Sequence, residues 1–206
     1  MKKTILWDFD GVILDSMEVR DFGFKEIFKK FKKEQVSRLV DYHRANGGLS
    51  RYVKIKYFFN SILNENIEEN EVMNYAMDFS KIMRKELINP KNLIDDSVSF
   101  IRSNFNEYRF HIVSGSDQEE LRFLCKELNI ASYFVSINGS PTHKNMLVNQ
   151  LIEKYDYNLS KTCLVGDSIN DFEAAKNNNI SFYGYNNKAL MELESGYINS
   201  FETFVF

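Results

Sequence analysis

With two cysteines in 206 residues the chain has no disulfide framework, and Cys125 and Cys163 both fall at positions expected to be buried, which predicts a reducing, cytoplasmic setting. No charge of one sign dominates. A formal net charge of −3 carries no basic footprint for nucleic acid. The one basic stretch, from Lys25 to Lys33, is interleaved with Phe24, Ile27, Phe28 and Phe31 at helical spacing and reads as a solvated helix face. Long apolar runs are also missing. Met1-Lys2-Lys3 opens like a signal peptide, but the apolar stretch after it stops at Asp8, and no run approaches the length of a bilayer, so no membrane partner is expected. There is no internal repeat and no low-complexity segment.

A strand signal is absent from Met17 to about Glu86. In its place stand helical periodicities: Phe24/Ile27/Phe28/Phe31, Ile55/Phe58/Phe59/Ile62 and Val72/Tyr75/Ala76/Phe79. On both sides strands and helices alternate, the pattern of a parallel sheet. After Pro90 the expected elements are helix 95–104, strand 109–113, helix 117–128, strand 133–137, helix 144–156, strand 162–165, helix 171–178 and strand 181–184. Asp117 with Glu120 offers a capping box. At 44% hydrophobic, the chain can bury one core plus a small accessory domain. Residues 16–89 then form a helical insertion, hinged near Asp15-Ser16 and Asn89-Pro90, in a core made of 1–15 and 90–206. The segment 200–206 fits either an edge strand or a docked tail.

The chemistry-bearing residues lie where short buried strands end. Ile5-Leu6-Trp7 runs into Asp8-Phe9-Asp10-Gly11-Val12. Two carboxylates that close need a cation, a shared proton or free exposure, so the stretch is either a solvated turn or a site at the carboxyl edge of a sheet. Thr162-Cys163-Leu164-Val165 runs into Gly166-Asp167-Ser168-Ile169-Asn170-Asp171. Asp167 reads as a helix cap, but Asp171 four residues on is a like charge on the same face, unfavourable unless a cation lies between them. Four carboxylates at two strand ends suit a hard, oxygen-seeking cation of the Mg2+ type. Phe110-His111-Ile112-Val113 ends in Ser114-Gly115-Ser116, a hydroxyl with flexible N–H groups of the kind that bind phosphate oxygens. Lys144 stands in the first turn of the helix after Pro141, an unfavourable place for a cation that suggests another purpose.

In order and spacing, Asp8-Phe9-Asp10-Gly11-Val12, Ser114, Lys144 and Gly166-Asp167-Ser168-Ile169-Asn170-Asp171 resemble the four motifs of the haloacid-dehalogenase-like hydrolase superfamily, over almost the whole chain. The resemblance implies an α/β fold, with a doubly wound, Rossmann-like parallel-sheet core and an inserted four-helix cap. It implies a Mg2+-dependent phosphatase acting on a small phosphorylated metabolite, such as a phosphorylated sugar, with no part for nucleic acid. Within it, Asp8 would be the nucleophile and Asp10 the general acid and base. Asp8, Asp10 through its backbone carbonyl, Asp167 and Asp171 would hold the metal. Ser114 and Lys144 would bind the transferring group beside Gly11 and Gly115, with Ser168 and Asn170 orienting the acids. Arg44-Ala45-Asn46-Gly47-Gly48-Leu49-Ser50-Arg51 resembles the substrate-specificity loop of β-phosphoglucomutase-like and phosphoglycolate-phosphatase-like members, which brings in Gly48, Arg51 and Arg44. Arg20 and Lys54 are the next basic residues in reach. A plain helix–helix turn with Ser50 as N-cap is the alternative. The His that the mutase subgroup carries after the first motif is missing at Val19-Arg20-Asp21, which weakens a mutase. A receiver-like signalling domain is the other alternative. Oligomeric state is not legible.

Overall fold

The computed structural model describes residues 2–193 and 195–206; Met1 of the basic start lies outside them. Six parallel strands form one sheet in the order β3-β2-β1-β4-β5-β6: β1 Thr4–Trp7, β2 Arg109–Asp117, β3 Ser136–Ser140, β4 Thr162–Gly166, β5 Ser181–Tyr185 and β6 Gly196–Ile198. β1 and β4 are buried on both faces, as near-continuous apolar runs at the centre of a parallel sheet should be. Alternation splits the core into two layers. Ile5 and Trp7 face the side covered by α5 (Asp95–Asn104) and α6 (Gln118–Glu127), while Leu6 and Leu164 face α7 (Lys144–Tyr155) and α8 (Ile169–Asn177).

Between β1 and α5 lie four helices: α1 Met17–Ile27, α2 Lys33–Ala45, α3 Arg51–Tyr57, continuing as a π-helical turn Phe58–Leu63, and α4 Glu69–Glu86. Their periodic apolar positions meet in a phenylalanine-rich centre of Phe24, Phe28, Phe58 and Phe79, with the Phe28 and Phe58 rings 4.2 Å apart. Ser50 caps α3 by accepting from the Val53 N–H at 3.4 Å, as the plain-turn alternative expects. The two chain crossings into this layer run side by side. Leu14 bridges Leu93, Asp15 N–H donates to the Asn92 carbonyl at 2.7 Å, and Ile94 N–H donates to that of Ile13.

Several expectations need correcting. β3 sits three residues later than 133–137, because Ala131–Tyr133 form a 3-10 turn and the residues that pair with β2 are Ser136, Asn138 and Ser140 with Ile137 as the one apolar member of an edge strand. α8 begins at Ile169, and its cap is Ser168 rather than Asp167, with Ser168 N–H and Oγ–H donating to Asp171 Oδ2. Asp117 accepts from the N–H groups of Glu119 and Glu120, but Glu120 does not reciprocate, since its carboxylate is taken by arginines of the inserted helices. The carboxyl end is a docked tail: Asp96 accepts from Ser200 Oγ–H and Phe201 N–H, and Phe201 lies 5.2 Å from the Trp7 ring. Among the described residues no helix is long and apolar enough to cross a membrane.

Candidate active site

Asp8 leaves β1 at the carboxyl edge of the sheet, where its N–H is tied to the Val165 carbonyl of β4 at 2.9 Å and its Oδ1 accepts from Phe9 N–H at 2.7 Å. The chain then turns through Gly11 at φ +75°, a conformation costly for any residue with a Cβ. A Cβ there would also lie 2.0 Å from Asp167 Oδ2, so glycine is what lets the two acidic segments close on each other. Asn187 Nδ2 holds the Asp167 carbonyl at 2.7 Å, and Asn186 Nδ2 the Gly11 carbonyl at 3.1 Å.

Asp8, Asp167 and Asp171 form one cluster, each with a carboxylate oxygen within 4.8 Å of the others. Lys144, buried at the start of α7, pairs with Asp8 Oδ1 at 2.9 Å and with Asp171 Oδ1. One ammonium against three carboxylates leaves negative charge in excess. Burial, with Asp171 next, raises Asp8 to about 7 against the offset from Lys144, and burial with Asp8 and Asp171 raises Asp167 well above its ordinary value. An all-oxygen donor set with surplus charge fits a divalent cation of the Mg2+ type, held by Asp8, Asp167 and Asp171. The Asp10 carboxylate stands outside this cluster, which leaves only its backbone carbonyl for such a role.

The signs of those shifts give a testable consequence. Carboxyls with raised native pKa values retain protons that the unfolded chain has lost above about 4, so they stabilise the fold below that pH and lose the contribution as pH rises through 7. Without metal, the melting temperature should fall between pH 5 and pH 8, and Mg2+ should raise it more at pH 8 than at pH 5. A flat profile in scanning calorimetry with an equal Mg2+ effect at both pH values would remove this account of the cluster.

Asp10 points the other way. Its Oδ1 accepts from Ser16 Oγ–H at 2.5 Å and Arg20 Nε–H at 2.7 Å, and its Oδ2 from Ser116 Oγ–H at 2.5 Å. Burial opposes its ionisation, but Arg20 and the two hydroxyls override this and set the carboxyl below its usual range. Ser114 is buried beside it, its Oγ accepting from Ser116 N–H. These groups surround a chamber of about 220 Å3 lined by Asp8, Asp10, Gly11, Ser114, Asp167 and Gly48 among others.

The turn at Gly47-Gly48 closes over the chamber by bare backbone contact. A Cβ on Gly115 would stand 2.4 Å from the Gly48 carbonyl oxygen, and one on Gly48 2.8 Å from Ser168 Oγ and Asn170 Cβ. Arg51 does not line this chamber but a smaller space beyond Asp10, and part of its fork is spent. Nη1 pairs with Glu120 Oε2 at 2.6 Å and donates to Ser80 Oγ at 2.5 Å. Arg44 departs from the expectation. Its guanidinium is claimed by Asp21, with Nε–H donating at 2.8 Å, its side chain is 57% exposed, and it lines no part of the chamber. His43, Ser116 and Glu120 were not legible as site residues. Only the pattern Ser114-Gly115-Ser116 carried any signal.

Residues 5–185 match the family model described as haloacid dehalogenase-like hydrolase. A search of curated protein sequences finds no match. Among solved structures the chain is similar to β-phosphoglucomutase from Clostridium difficile, at 16% identity and TM-score 0.75 over 100% of this chain and 94% of that one. It is similar to CbbY from Rhodobacter sphaeroides, solved in complex with phosphate, at 14% identity and TM-score 0.77 over 98% and 96%. YfnB from Bacillus subtilis, solved bound to magnesium, aligns at 15% identity and TM-score 0.71 over 98% and 96%. Identities this low speak to the fold alone.

Proposed function

Because the chain belongs to the haloacid dehalogenase-like hydrolase family, we propose that it is a Mg2+-dependent phosphatase of small phosphomonoesters, working through an aspartyl-phosphate on Asp8. The observation that carries the reading is that Asp8, Asp10, Ser114 and Asp167 line one 220 Å3 chamber, with Lys144 buried against Asp8.

Asp8 attacks phosphorus, and the bond from phosphorus to the leaving oxygen breaks. Covalent capture divides one hard displacement into two easier ones. Ser114 Oγ–H and Lys144 bind the equatorial oxygens, where phosphoryl transfer gathers charge. Mg2+ held by Asp8, Asp167 and Asp171 would supply positive charge that offsets the charge of the transferring group. Asp10 passes a proton to the leaving oxygen and then takes one from the water that opens the aspartyl-phosphate. The Arg20, Ser16 and Ser116 contacts hold it ionised, ready for the second step, so the proton for the first must come in with the substrate. A phosphomonoester, with a second pKa of about 6, can carry it. Residues 16–89 act as a cap that selects the leaving group, while the core reads phosphate and metal. A phosphomutase is disfavoured because the stretch Val19-Arg20-Asp21 lacks the His that the mutase subgroup carries after the first motif, and Asp10 is held by Arg20 instead.

Phosphate release from a panel of phosphorylated sugars, polyols, acids and nucleotides, with Mg2+, tests the reading. Activity on at least one small monoester should fall at least tenfold with chelator and return when Mg2+ is restored. Chelator-resistant hydrolysis, or no hydrolysis across the panel, would overturn it.

A further inference from the structure

Past Asp10 the chamber narrows into an annex of about 20 Å3 under the inserted helices. That volume admits about one water or a group of very few atoms. Arg20, His43, Arg51 and Lys54 line it, with the Phe24 and Phe79 rings as apolar walls.

The charges there do not balance locally. Arg20 is fully engaged, with Nε on Asp10, Nη1 on Glu120 and Nη2 on Ser116. Arg51 is 4% exposed, and among the described residues its Nη2 has no partner although Nη1 is held by Glu120 and Ser80. Lys54 is 3% exposed. Its Nζ reaches only His43 Nδ1 at 2.9 Å and the Gly47 carbonyl at 3.2 Å, and among the described residues no carboxylate lies within 4.0 Å of it. Burial, then Arg20 and Arg51, lower Lys54 to about 7, and burial with Lys54 keeps His43 neutral. With Nδ1 accepting from Lys54, the other ring nitrogen of His43 is a donor; it faces Asp21 Oδ1 at 3.9 Å, too far for a hydrogen bond, and has no hydrogen-bond partner among the described residues. A buried cation without a counter-charge is rare unless something it binds supplies one.

On the phosphatase reading given above, we infer that Lys54 Nζ and Arg51 Nη2 seat a carboxylate on the leaving group, which makes the substrate a short phosphorylated carboxylic acid. Asp10 is the one carboxylate lining the annex and is already held by Arg20, Ser16 and Ser116, so the spare donors of Lys54 and Arg51 leave a net positive lining that suits an oxyanion better than sugar hydroxyls. The small size of the annex favours a carboxylate over the bulkier tetrahedral phosphate.

The test uses Asp8→Asn protein, which cannot turn over, titrated calorimetrically in Mg2+ with 2-phosphoglycolate, ethyl phosphate and ethane-1,2-diol bisphosphate. A charge-assisted hydrogen bond predicts that the acid binds about 10–150-fold more tightly than ethyl phosphate. Adding Lys54→Met should bring the acid down to the level of ethyl phosphate. Equal affinity for acid and ethyl ester in the Asp8→Asn protein would overturn the seat while leaving the phosphatase reading intact, and it needs no Lys54 variant to be seen. Tightest binding of the bisphosphate would assign the annex to a phosphate and overturn the carboxylate. If no ester binds, the phosphatase reading fails and the seat fails with it.

Discussion

Asp8→Asn should abolish phosphate release, by more than about 10⁴-fold or roughly 5.5 kcal/mol of barrier, while the protein stays folded. An amide has the shape of the carboxylate but cannot attack phosphorus. The side chain accepts from Phe9 N–H and from Lys144 at Oδ1, an amide oxygen can accept from both, and Lys144 keeps Asp171 as its ionic partner. The substitution also removes one of three crowded acids. Above pH 7, where burial and Asp171 make ionised Asp8 costly, the metal-free variant should melt no lower than the parent. Parental phosphate release by Asp8→Asn would remove Asp8 as nucleophile. A melting temperature several degrees lower at pH 8 would contradict the reading of the cluster as a place of net repulsion.

Lys144→Ala should cost both rate and stability. From sequence, Lys144 reads as a catalytic cation that contributes little to folding; the structure puts it underground, between Asp8 and Asp171, with a side chain 5% exposed. Removing one partner from a buried ion pair costs about 3–5 kcal/mol, and losing one preorganised contact to the transferring group costs about 10²–10³ in kcat. The two losses should separate. Mg2+ or a pH near 5 should recover part of the melting temperature, because either relieves the carboxylates, whereas the rate should stay low with saturating metal. An unchanged melting temperature at pH 7.5 would show that Lys144 bears no structural load.

What the sequence shows clearly is where strands stop. Ile5-Leu6-Trp7 and Cys163-Leu164-Val165 are apolar on both faces because they are central in a parallel sheet, so the acids that follow had to emerge at its carboxyl edge. β3 was misplaced because an edge strand with Ile137 alone among Ser136, Asn138, Gly139 and Ser140 carries too little apolar signal, and β6, three residues long, is too short for one. The partners of the charged groups were hidden for a different reason. Glu120 has the spacing of a capping box, yet two arginines from elements about 70 and 100 positions earlier outbid a local N–H. Arg44 and Arg51 look alike on either side of two glycines, and only the fold reveals that Asp21 occupies the first and Glu120 half of the second.

The paired crossings at Leu14 and Leu93 behave like the spine of a book. Two strands of backbone, bridged to each other and entering side by side, would confine any displacement of the inserted helices to a swing about one line, against sliding or twisting. Asp10 sits next to that line, and the arginine gripping it is mounted on the moving cover. Lifting the cover would therefore take Arg20 off Asp10 in the same motion that admits solvent to the chamber. Shutting out water and aiming the proton-transfer group become a single event, and an ester too bulky to let the cover shut would meet a nucleophile without its acid and base.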